Sequence, residues 1–117
     1  MEIQIVKQPV ALAKVRKLAE AQFGDLIKAT VDVANGVMAL GGDLHADEEQ
    51  LLLKHGSKQQ NLWGINLYPA KFGSADFIEF DSLINIRPSQ GNRTRAVDDP
   101  AVRQRIKELV DTLVVEG

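Results

Sequence analysis

Ile3 and Ile5 alternate with Glu2 and Gln4, the period of two expected of a half-buried strand, and Gln8-Pro9 closes the run. From Pro9 the apolar residues Leu12, Val15, Leu18, Ala19 and Phe23 recur at helical spacing, and Gly24 supplies a left-handed stop. A first helix is predicted over about residues 9–23. The stretches Leu26 to Ala34 and Val37 to Leu40 flank Asn35-Gly36, the dipeptide that best tolerates the two positive φ values of a type I′ turn, so a hairpin with a two-residue loop is expected. In that register Val33 faces Met38 and Val31 faces Leu40, while Thr30 and Asp32 point to the other side of the sheet.

Asp47-Glu48-Glu49 precedes Leu51-Leu52-Leu53, with His55-Gly56 behind. This places negative charge on the positive end of a short helix over about residues 46–55. Trp63, Ile65 and Leu67 then alternate with Gly64, Asn66 and Tyr68 in a strand that Pro69 ends. Ile78, Phe80, Ile84 and Ile86 alternate with Glu79, Asp81, Asn85 and Arg87, which predicts one long strand over Phe77 to Arg87. Asp99-Pro100 supplies an N-cap oxygen and a proline at the first helical position. The stripe Val102, Ile106, Leu109, Val110 and Leu113 then marks the buried side of a last helix.

The element order is βαββαββα, an α+β fold with a single mixed or antiparallel sheet of about five strands and three helices, the helices expected on one side. The opposite face collects Thr30, Asp32, Asn66, Tyr68, Glu79, Asp81, Asn85 and Arg87, either a solvated surface or a binding face. No repeat or biased tract divides the chain, so residues 1–117 are read as one domain.

Composition narrows the function classes. Fourteen Lys and Arg against sixteen Asp and Glu give a formal charge of −2, which offers no global field for wrapping DNA or coating an anionic membrane, so any basic site is local. Cysteine is absent, which removes disulfides, thiolate nucleophiles and zinc–sulfur clusters. The first residues lack the basic and apolar regions of a signal peptide, and no run approaches the roughly 18 apolar residues of a membrane span. A cytoplasmic location with no membrane partner is expected.

The strongest chemical signal is Arg87-Pro-Ser-Gln-Gly-Asn-Arg-Thr-Arg95, with three arginines and no acid. Guanidinium forks at Arg87, Arg93 and Arg95, with hydrogen-bonding groups at Ser89, Gln90 and Asn92, suit phosphate or carboxylate, so RNA, a nucleotide or an acidic peptide is a candidate partner. The alternative is an ordinary polar loop whose arginines pair with Asp98, Asp99, Glu79 or Asp81. Asp43, His45 and Asp47 have the spacing of three metal ligands on one side of an extended segment. With Glu79 and Asp81 they sketch a metal-assisted hydrolase, whereas the acids equally serve the helix start. Trp63 is expected in the core rather than as a stacking platform. His55 suits a helix end, and Ser57 has no neighbouring base.

Gly41-Gly-Asp-Leu-His-Ala-Asp-Glu-Glu, Gly56-Ser-Lys-Gln-Gln-Asn-Leu-Trp-Gly-Ile-Asn-Leu-Tyr-Pro69 and the block from Glu79 to Arg95, together with Ala21-Gln-Phe-Gly-Asp25, carry a resemblance along nearly the whole chain. The sequence resembles a family of small prokaryotic proteins labelled domain of unknown function fifty-six seventy-four. The resemblance implies a stand-alone prokaryotic domain and carries no activity, cofactor or catalytic residue with it. Three functional readings follow: an anion-binding module through loop 87–95, a metal-assisted hydrolase, and an interaction domain acting as a homo-oligomer.

Overall fold

The computed structural model describes residues 2–116. Its main sheet has five antiparallel strands, β1 (Gln4–Val6), β3 (Ile27–Asp32), β4 (Val37–Leu40), β5 (Leu62–Leu67) and β6 (Ile78–Glu79), in the order β1-β4-β3-β5-β6. Three helices, α1 (Leu12–Gln22), α2 (His45–Lys54) and α3 (Pro100–Leu113), complete the expected βαββαββα order. Two further strands, β2 (Val10–Ala11) and β7 (Val114–Val115), pair in parallel as a separate clasp around the helices. Each has two residues, too few to leave a periodic signal, and β2 replaces what reads as the first turn of α1.

The larger core lies on one side of the sheet. Ile27, Ala29 and Val31 of β3, Met38 and Leu40 of β4, and Trp63, Ile65 and Leu67 of β5 meet Val15 of α1 and Ile106 and Val110 of α3. The helices do not all share that side, however. Leu52 of α2 joins Ala39 and Leu62 in a smaller cluster on the opposite face, with Ile3, Ile5 and Val37 packed against it. Thr30, Asp32 and Asn66, the polar side of the central strands, are consequently buried. A buried polar face must find hydrogen-bond partners inside the protein, and that requirement organises everything near it.

The hairpin differs from the two-residue prediction. Val31 pairs with Met38 and Ala29 with Leu40, leaving four residues in the loop. The Asp32 carboxylate accepts the amides of Ala34 and Asn35 at 3.0 Å each and the Ser57 hydroxyl at 2.6 Å. Gly36 N–H donates to the Asp32 carbonyl. Only Gly36 adopts positive φ, so Asn35 is spared the left-handed conformation that a type I′ turn demands. The two-residue shift keeps every side chain on its predicted face, because the strand period is also two.

The predicted strand over Phe77 to Arg87 is corrected more deeply. Pairing stops after Glu79, and Ser82 Oγ accepts the Ile84 amide to start a 3₁₀ turn over Leu83–Asn85. From that turn onward the expected burial no longer holds. Asn85 and Arg87 are buried while Leu83 and Ile86 are exposed.

Candidate functional site

The segment after β6 closes an open edge. β6 pairs with β5 only at Asn66 and Leu67, so the first half of β5 lacks a neighbouring strand on that side. Asn85 takes its place with a side chain: Oδ1 accepts Gly64 N–H at 2.8 Å, and Nδ2 donates to Gly64 O at 2.9 Å and to Arg95 O. Arg87 continues the seal, its guanidinium donating to the carbonyls of Gln59 and Leu62 and lying 4.2 Å from the Trp63 ring centroid. Exposed edges invite pairing with other chains, and covering them is a standard remedy.

Loop 87–95 is therefore divided in its roles. Arg87 points inward. Gln90 accepts from it and donates to Gln60 O. Asn92 is buried and holds the turn, donating to the carbonyls of Asn85 and Ala96 and accepting Asp98 N–H. Ser89 and Arg93 are exposed. Arg95 Nε lies 2.7 Å from Asp81 Oδ1 in an ion pair whose side chains are 55% and 42% exposed.

The start of α2 is equally divided. Asp43 is exposed and accepts from Gln22, and Asp47 faces solvent. His45 turns inward, its Nε2 2.8 Å from the carbonyl of Ile65. Only a protonated Nε2 makes that bond, which leaves Nδ1 as the lone-pair nitrogen of the neutral ring. Burial lowers the His45 pKa against the opposing effect of the Ile65 bond. Among the described residues, no three His, Asp or Glu side chains are grouped to hold a metal ion.

One turn on, Glu48 is fully buried, with Oε1 3.0 Å from Thr30 Oγ1 and Oε2 accepting Gly42 N–H at 2.9 Å. Burial raises its acid well above the usual carboxylate range, outweighing those two hydrogen bonds. Nothing in the composition of the acidic run distinguishes this inward residue from its solvated neighbours. The signal available was its spacing, because His45, Glu48 and Leu52 fall on one helical face.

Between the start of α2 and residues 81–84 lies a cleft of about 210 Å³ over the second face of the sheet, bordered by Lys28, His45, Asn66, Asp81, Ser82 and Arg95. Its apolar walls include Leu44 and Leu83, which are 56% and 67% exposed. Two cations and one carboxylate line it, so it carries local positive charge in a protein of formal charge −2. Asn66 contributes Nδ2 to Glu79 Oε1 at 2.8 Å and to Asp81 O at 3.4 Å, while its Oδ1 is buried without a partner.

The structure defines a small α+β domain in which a helix and a folded-back loop cover the second face of an antiparallel sheet and leave a charged cleft between them. The chain belongs to the family described as Protein of unknown function (DUF5674), whose model matches residues 4–113. No curated protein and no solved structure matches it. Among the described residues no helix is long and apolar enough to cross a membrane.

Proposed function

We propose that the protein is a binding module for a small anionic ligand, held in the cleft between the start of α2 and Asp81–Ile84. The observation that carries this reading is the half-exposed Arg95 on the border of that cleft, with Lys28 as a second cation and Asp81 as the single lining carboxylate. Guanidinium presents paired donors to carboxylate or phosphate, and an incoming anion has only an exposed, weak ion pair to displace. Of the arginine-rich loop, Arg95 is the residue assigned to the ligand, with Arg93 available outside the cleft and Arg87 committed to the β5 edge. The volume favours a small ligand, since pockets for drug-sized molecules run to about 300–1,000 Å³.

A titration monitored by thermal shift and NMR, using inorganic phosphate, mononucleotides, small carboxylates and short RNA, tests this. Binding of a small anion that weakens as salt rises and is lost in Arg95→Gln, with melting temperature nearly unchanged in that variant, is expected. Absence of binding by every small anion, or binding indifferent to Arg95→Gln, would overturn it. Binding of RNA alone would move the site to the outer surface of the loop.

A further inference from the structure

The hydrogen-bonding groups of the cleft ask for more than negative charge. Both partners of Asn66 Nδ2, Glu79 Oε1 and the carbonyl of Asp81, are acceptors, so the amide nitrogen must face them and the orphan must be the oxygen. Asn66 is 7% exposed, and a buried acceptor without a donor is an unusual state in a folded protein. His45, with Nε2 occupied by Ile65 O, offers the cleft an imidazole whose Nδ1 is a second acceptor when neutral. Neither group is served by a bare carboxylate, and phosphate can serve them only through a P–O–H. Both are served by an N–H donor carried on the same small molecule as the anion.

The two demands sit in one cleft with a third. Lys28 and Arg95 supply cationic donors, Asn66 and Asp81 supply acceptors, and Leu44, Leu83 and Ile84 supply apolar wall. Exposed leucines rimmed by polar groups mark a surface that gains by being covered. We propose that the ligand is a free α-amino acid with an aliphatic side chain. Its carboxylate lies against Arg95 and Lys28, its ammonium donates toward Asn66 Oδ1 and Asp81, and its side chain rests on Leu44 and Leu83. This rests on the anion-binding reading above and adds that the ammonium and carboxylate are read together. The zwitterion also matches the balance of the lining, in which cations and a carboxylate coexist.

The test uses leucine, N-acetyl-leucine, leucinamide and inorganic phosphate, titrated into the 117-residue chain by calorimetry, with the Asn66 side-chain amide followed by NMR. N-acetyl-leucine keeps the carboxylate of a peptide C-terminus, and leucinamide keeps the ammonium of a peptide N-terminus. Leucine is expected to bind at least about tenfold more tightly than either analogue, to shift the Asn66 amide resonances, and to weaken about tenfold in Leu83→Asp, about 1.4 kcal/mol in each case. That substitution falls on an exposed side chain and leaves the fold intact. Leucinamide or N-acetyl-leucine binding as tightly as leucine would overturn the amino-acid assignment in favour of a peptide end. Phosphate binding as tightly as leucine would overturn it while leaving the anion site standing. Failure of all four probes would overturn the amino-acid assignment, and the anion site would fall with it only if the mononucleotides and small carboxylates also fail to bind.

Discussion

Thr30 Oγ1 stands 3.0 Å from Glu48 Oε1 and 3.5 Å from the carbonyl of His45, an arrangement that a neutral carboxylic acid satisfies completely. In the neutral form Oε1–H can donate to the threonine oxygen and the threonine proton pass on to the His45 carbonyl, whereas Thr30 Oγ1 donates to Oε1 of the carboxylate; in both forms Oε2 accepts the Gly42 amide. An ionised Glu48 receives the same contacts in a site that excludes water, and ionisation there is opposed by burial.

Glu48→Gln is expected to preserve this chain, with the amide nitrogen donating to Thr30 and the amide oxygen accepting from Gly42. The wild-type acid has its folded pKa raised above the unfolded value. Its contribution is therefore fully present below the unfolded pKa, about 4.3 for an ordinary glutamate, and is lost as pH climbs toward the folded one. The variant lacks this loss, so urea denaturation at pH 5 and pH 8 should show a smaller decline with rising pH than in the wild type. An equal decline in both proteins would contradict a protonated Glu48. Thr30→Val, which leaves buried Glu48 without its hydroxyl partner, should cost about 1–3 kcal/mol.

His45 works in the opposite direction. Its folded pKa is lowered by burial, so its contribution is present above the ordinary value near 6.5 and is lost as pH falls through the folded pKa. Mildly acidic solution should therefore weaken the protein through His45. An NMR titration that finds the His45 ring protonating at or above the ordinary value would contradict the burial effect argued for it.

At Gly64 the backbone is pressed against its cover. A Cβ added there would lie 2.5 Å from both Cβ and Oγ of Ser82 and 3.1 Å from His45 Cδ2. Gly64→Ala should destabilise by about 1–3 kcal/mol through overpacking, measurable by chemical denaturation. Ser82→Gly in the same chain should return part of that loss, and a double-mutant cycle with no coupling would show that the two residues do not meet.

Three arginines within nine residues should respond unequally to mutation. Arg87→Ala removes the cover from Trp63 and the donors to two carbonyls, and should cost about 2–4 kcal/mol, with a change in tryptophan fluorescence. Arg87→Lys should restore little, because an ammonium does not reproduce the planar fork. Arg93→Ala and Arg95→Gln should stay within about 1 kcal/mol of wild type, as expected of exposed side chains. Comparable losses at all three positions would mean that the loop acts as one electrostatic unit.

Much of the architecture is legible in the residue pattern because local chemistry and burial agree. Asp99 does cap α3, accepting the Ala101 amide at 2.9 Å, and Pro100 does open the helix. Trp63 lies in the core as its strand partners imply. The segment after Glu79 misleads because alternation describes which residues differ in polarity and says nothing about which side will be covered. Once α2 and the folded-back loop bury the polar face, Asn85 and Arg87 become interior residues and Leu83 and Ile86 are left outside. The cleft joins Lys28, His45, Asn66, Asp81 and Arg95 from five separate stretches of chain, and no local pattern reports such a meeting.

The parallel pairing of Val10 with Val114 and of Ala11 with Val115 has a consequence for synthesis. One strand of the clasp is made more than a hundred residues before the other. While Val114 remains in the exit tunnel, β2 waits without its partner and α1 lacks the strand it packs against. Closing the clasp therefore waits until the last turn of α3 and the strand behind it have emerged, and until then β2 has no strand beside it.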